Sequence, residues 1–194
     1  PMIVKYVDML HSGIQSQSLS RYAIGYILRG TKHIYDGDKR QTLNKGDIFY
    51  LGIGHHCIEN VPDGGLPYEE ILFYYTPSDL QRILLHLNIT YGLNITNDHA
   101  CEQCRHRSHV AVPGWNAVRN FFSNTNAYLR DEEFHPDETA ENIKMTELIY
   151  LITSHDDSCI KSKILSNVDA AKENFEQTIY DHIFKDVSIE ELAR

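Results

Sequence analysis

Apolar positions alternate with polar ones through the first third of the chain and then shift to helical spacing, which divides the sequence into a strand-rich and a helix-rich part. Runs rich in Ile, Val, Tyr and Phe occur at Met2–Val7, Tyr22–Leu28, Lys32–Tyr35, Asp47–Leu51, Cys57–Val61 and Glu69–Tyr75, separated by Gly, Asn, Asp and Pro. This is the pattern of short antiparallel strands. Asp36-Gly37 and Asn44-Lys45-Gly46-Asp47 supply residues that tolerate positive φ where tight turns need them. Strands this short and this regularly spaced predict a sandwich or barrel.

From Pro77 the period changes. Leu80, Ile83, Leu84 and Leu87 recur at helical spacing and predict a helix over 78–88. The stretch from Tyr91 to Val112 is irregular, with one further strand expected at His109–Val112. Three apolar stripes at helical spacing follow: Trp115, Val118, Phe122 and Leu129; Met145, Leu148, Ile149 and Ile152; and Val168, Ala171, Phe175, Ile179 and Ile183. Pro136 separates the first two, and His155-Asp156-Asp157-Ser158 separates the second from the third. At the end, Ser188 and Glu191 form a capping box. A helix opened in this way needs more length than the residues to Arg194 provide to repay nucleation, so a further domain is expected beyond it.

Composition restricts the function classes. Lys and Arg number 18 against 27 Asp and Glu, a net charge of −9, which opposes phosphate binding by this segment. The sequence carries no apolar run near the roughly 20 residues of a membrane span and no signal-peptide pattern at its start, so the cytoplasm is the expected location and no membrane partner is expected. Four cysteines are too few and too scattered for a disulfide framework.

Three stretches, taken in order, resemble the regulatory half of an AraC/XylS-type bacterial transcription regulator. The first comprises Tyr26-Ile27-Leu28-Arg29-Gly30 with Lys32-His33-Ile34, and Leu43 to Leu51 running on to Gly54-His55-His56. Its Gly-Asp turn, apolar strand, Gly-containing loop and His are similar to the second half of a cupin motif. The second is Lys144 to Ile152, which is similar to the family's second linker helix, and the third is Phe184-Lys185-Asp186-Val187 leading into Ser188. The resemblance implies an α+β fold: an antiparallel cupin-like β-barrel of the jelly-roll type, followed by an α-helical linker and dimerisation region. It places the effector barrel at 1–112, the dimerisation region at 113–185, and the start of a helix-turn-helix domain at 186–194. It further implies a homodimer that reaches DNA through that C-terminal domain, with a small-molecule effector or a regulatory protein as partner, no cofactor and no catalytic residues. Within the family the chain looks closest to activators of virulence or secretion genes.

Candidate site residues follow. Tyr26, Arg29, His33, Phe49, His56 and Phe73 are candidates for an effector pocket in the barrel, aromatic groups forming walls and cationic ones orienting an anion. Alternation places only about half of the barrel aromatics inside. Met145, Leu148, Ile149 and Ile152 serve either as intrachain core or as the dimer interface the resemblance favours. A cupin metalloenzyme with a helical extension is the competing reading, but His33 has no second His two residues on and no well-placed Glu, and of the adjacent His55 and His56 at most one faces the lumen. Cys101-x-x-Cys104, with His99, His106 and His109 nearby, is the sharpest chemical cluster. Cys101, Cys104 and His106 are the alternative to no metal at all, a redox pair is a second possibility, and an unligated loop is the ordinary reading of a single CxxC.

Overall fold

The computed structural model describes residues 1–96, 101–133, 135–156 and 158–168. Nine strands lie in this region: β1 (Met2–Asp8), β2 (Ile14–Leu19), β3 (Tyr22–Arg29), β4 (Thr31–Asp36), β5 (Lys39–Leu43), β6 (Asp47–Leu51), β7 (Gly54–Val61), β8 (Tyr68–Tyr75) and β9 (His109–Pro113). The helices are α1 (Pro77–Tyr91), α2 (Glu102–Arg105), α3 (Asn116–Arg130), α4 (Glu138–Thr153) and α5, residues 159–168. The strands form two antiparallel sheets, one ordered β1-β8-β3-β6-β9 and the other β2-β7-β4-β5, packed as a jelly roll.

The expected strands form, and the sequence explains their turns. Gly46 sits at φ 92° between β5 and β6. Asp47 Oδ2 accepts from the Asn44 amide at 2.7 Å, closing the Gly-Asp turn. Two strands escape the hydrophobic pattern, β2 (Ile-Gln-Ser-Gln-Ser-Leu) and β5 (Lys-Arg-Gln-Thr-Leu). They are the two edges of the four-stranded sheet, where polar side chains face water and discourage further pairing. The α2 turn is likewise too short to carry a periodic signal.

Two apolar clusters lie on opposite faces of the five-stranded sheet. Leu19, Ala23, Ile27, Ile34, Leu43, Phe49, Leu51, Ile58, Tyr68 and Leu72 fill the space between the sheets. Ile24, Tyr26, Ile48, Tyr50, Ile71, Phe73 and Tyr75 point the other way, into a core shared with α1, α3, α4 and α5. Period-two alternation along β3, β6 and β8 makes this division. The second core is aromatic at its centre: Tyr26 stacks on Phe122 with centroids 4.5 Å apart, and Phe73 packs against Phe121 and Phe122. α1 starts from a capping box between Thr76 and Asp79, with Pro77 in its first turn.

The stripe Met145, Leu148, Ile149 and Ile152 is completely buried inside a single chain. Of the two roles open to these residues, the fold assigns the intrachain one: the α4 face that meets the sheet is the apolar one. The exposed side of α4 carries Ile143 and Tyr150 instead. Among the described residues no helix is long and apolar enough to cross a membrane. His99, the positions Ala171, Phe175, Ile179 and Ile183, and the helix start at Ser188 lie outside the described residues.

Candidate functional site

The barrel lumen holds a buried charged group that the six candidate residues do not include. Ile34 must face the lumen to pack between the sheets, so the same alternation turns Lys32 inward. Lys32 is 1% exposed. Its Nζ donates to Asn60 Oδ1 at 2.9 Å and pairs with Glu70 at 3.2 Å. The ammonium reaches both Glu70 oxygens, and Tyr68 OH donates to one of them, Oε2, at 2.6 Å. The ammonium also lies 5.5 Å from the Phe49 ring centroid and 5.4 Å from that of Tyr68, within cation–π range. Burial, with the Glu70 charge beside it, pushes the Tyr68 phenol well above its ordinary range. Lys32 Nζ, Asn60 Oδ1, Tyr68 OH and both Glu70 oxygens are thus paired, as a dry site demands.

The fold distributes the six candidates over four environments. Phe49 and His56 face the lumen, His56 Nε2 lying 2.7 Å from the Gly52 carbonyl oxygen it donates to. Tyr26 and Phe73 belong to the core beneath the helices. His33, next to Lys32 on β4, points to the opposite face and contacts Thr42 Oγ1 at 3.0 Å. Arg29 follows an irregularity in the β3 ladder and pairs with Glu69 at 3.0 Å, at a cleft of about 290 Å³ that also draws in Lys45, Arg119 and Arg130. The structure therefore does not gather the six into one pocket. Lys32, Asn60, Tyr68 and Glu70 are the residues that were overlooked, and the inward position of Ile34 two residues from Lys32 was the available signal.

A second concavity, about 830 Å³, runs along the outside between α1 and α4. Ile83, Leu87, Ile143 and Tyr150 give it apolar walls, and Arg82, which bonds Asn142 at 2.9 Å, sits at its edge.

The metal candidates also rearrange. Among the described residues the one group of three or more His, Cys, Asp or Glu ligand atoms close enough to share an ion is Cys101, Cys104 and Cys159, all within 4.8 Å of one another. His106, the cap of α2, is not in it, so the set Cys101, Cys104 and His106 is corrected to three thiols. His33 and His56 take part in no such group. Burial pushes the Cys104 thiol up to about 12, while sulfur hydrogen bonds, first from Cys104 and then from Cys159, draw Cys101 below its usual value.

Solved structures provide a comparison for this architecture. The chain is similar to ToxT of Vibrio cholerae in its apo K231A form, with a TM-score of 0.55 at 13% identity, covering 98% of this chain and 78% of that one. Against ToxT of strain O395 the TM-score is 0.46 at 11% identity, over 87% of this chain and 63% of that one. The EutQ protein of Clostridium difficile aligns at a TM-score of 0.30 and 18% identity, over 38% of this chain and 53% of that one. The first of these shows a shared fold, and the other two are too distant to add to it. No curated protein sequence matches. The family model of the ExsA N-terminal regulatory domain matches residues 22–160, from the start of β3 to the start of α5. The chain belongs to this family and is the regulatory region of an AraC-type transcription regulator.

Proposed function

We propose that this chain senses an effector in its barrel and pairs with a second copy through its helices, without catalysis, on behalf of a DNA-binding helix-turn-helix region elsewhere in the same cytoplasmic protein. The observation that carries this is the double use of the five-stranded sheet. Phe49 and Leu51 on β6 line the lumen, whereas Ile48 and Tyr50 on the same strand support the helices. Tyr50 OH accepts from Asn167 Nδ2 on α5 at 2.8 Å. A ligand that moves Phe49 therefore moves the strand that holds α5, and differential affinity for two positions of that strand is all that linkage requires.

The lumen also suggests the effector's chemistry. A buried ammonium between aromatic walls suits a small carboxylate with an apolar body, which shares the Lys32 ammonium with Glu70. Residues 1–112 sense in this reading, 113–185 pair, and 186–194 lead towards the DNA-binding region. Pairing uses Ile143 and Tyr150 of the second part, joined by Leu85 and Ile89 of α1 from the first, all exposed beside the α1–α4 groove, in place of the buried stripe of α4. Dimerisation raises DNA affinity through effective concentration on adjacent half-sites.

Calorimetric titration with decanoate tests the sensing step. Binding by the wild-type chain, weakened at least tenfold in Lys32→Met and accompanied by changed hydrogen exchange in α5, supports it. Equal binding by both proteins, or binding without any change at α5, contradicts it.

A further inference from the structure

The Cys-x-x-Cys run has no part in sensing or pairing, yet the fold completes it with a residue distant in sequence. Cys101 caps α2, and its carbonyl oxygen accepts from the Cys104 amide at 3.0 Å and the Arg105 amide at 3.1 Å. This turn brings the two thiols together. Two bonds fix it against α5: the Cys101 amide donates to Ser162 Oγ at 3.1 Å, and Lys163 Nζ donates to the Arg105 carbonyl oxygen at 2.9 Å. The first turn of α5 then supplies the third sulfur, Cys159. Cys104 is buried, and Cys101 and Cys159 are partly so.

We propose that Cys101, Cys104 and Cys159 bind one zinc ion, with water as the fourth ligand, and that the ion staples the 101–105 turn to α5. Zn–S bonds of about 2.3 Å in a tetrahedron set neighbouring sulfurs roughly 3.8 Å apart. The thiols lie within 4.8 Å of one another, so side-chain rotation of about an ångström brings them to that spacing. An all-sulfur set selects a soft or borderline ion and rejects magnesium and calcium. On binding, each thiol gives its proton to solvent, and three thiolates with a dication leave one net negative charge. The Lys163 ammonium and the N-terminus of α5 stand beside that charge to offset it. The ion's position gives it leverage on the fold. Ile160 and Ile164 of α5 are completely buried in the core shared with the sheet, so the staple fixes the helix that follows the sensing strand.

The test is metal content of the 194-residue chain, purified under reducing conditions, loaded with zinc and freed of excess, with affinity measured by chelator competition. One zinc per chain is expected, retained in Cys57→Ser, whose cysteine is exposed on β7, and bound at least tenfold more weakly in Cys101→Ser, Cys104→Ser and Cys159→Ser. Cobalt substitution of the wild-type chain gives a second readout independent of variant folding, with an expected thiolate-to-cobalt charge-transfer band of intensity matching three sulfurs. Undiminished zinc binding by folded Cys159→Ser overturns the proposal, as does a chain that binds no zinc. A Cys101–Cys104 disulfide that persists under mild reductant and blocks zinc does so as well, and identifies a redox pair instead.

Discussion

Removing the lumen's cation isolates the energetics of the sensing site. In Lys32→Met the side-chain volume is nearly kept, but Glu70, with a side chain only 4% exposed, loses its counter-charge and keeps only the Tyr68 hydroxyl as donor. Asn60 Oδ1 loses its donor as well. Breaking one side of a buried ion pair costs about 3–5 kcal/mol, because the remaining charge is left uncompensated in a medium that cannot solvate it. For a chain of this size each kcal/mol is worth roughly 2–4 °C in melting temperature, so a fall of about 6–20 °C is expected by circular dichroism. Neutralising both partners reverses most of this loss. In Lys32→Met/Glu70→Gln the amide oxygen still accepts from Tyr68 and no bare charge remains, so the double variant melts well above Lys32→Met, with a coupling of at least about 1 kcal/mol. Added salt changes little, since a pair this buried is poorly screened. A Lys32→Met protein that melts within about 2 °C of wild type, or a double variant whose loss is the sum of the two single losses, shows that Lys32 and Glu70 are not a coupled buried pair.

Other perturbations follow from the same geometry. A Cβ on Gly25 overlaps the Phe49 ring, so Gly25→Ala is expected to cost about 1–3 kcal/mol in chemical denaturation, and the added change Phe49→Leu to recover part of it. Leu148→Asp places a charge in the completely buried core and is expected to abolish the cooperative melt, whereas Tyr150→Asp, on an exposed position, leaves the melt unchanged and turns a dimer into a monomer in sedimentation. Burial holds the His109 imidazole below its ordinary value, so the unfolded chain takes up that proton at a higher pH than the native one. The contribution is therefore intact above about pH 6.5, the unperturbed value, and is lost as pH falls through the native one. Urea midpoints taken at descending pH are expected to drop less steeply in His109→Gln than in wild type.

Much of the fold was legible because each apolar residue of β3, β6 and β8 has one of two cores to enter, and alternation records the choice. What alternation does not record is which core lies on which side. Tyr26 and Phe73 have the same strand pattern as Phe49, yet they face the helices while Phe49 faces the lumen. The buried role of Met145 to Ile152 was ambiguous for the same reason: an apolar helix face looks alike whether it meets its own sheet or another chain. The polar edges β2 and β5 carry no hydrophobic signal because edge strands are selected against having one. Lys32 was legible in principle through Ile34, but a lysine reads as exposed until a partner such as Glu70, remote in sequence, is known. Cys159 is a similar case. The distance of a third thiol from a Cys-x-x-Cys run is set by tertiary packing of α5, which spacing does not encode.

Pairing decides whether this region can act on DNA at adjacent half-sites, and fusing the chain to a DNA-binding domain that represses a reporter only as a dimer reads it out. The wild-type fusion is expected to repress, and the double change Ile143→Asp/Tyr150→Asp, at positions 61% and 42% exposed, to lose at least tenfold of that repression while the isolated chain keeps its melting temperature. A wild-type fusion that fails to repress although folded, or a double variant that represses as well as wild type, rules out pairing through this face.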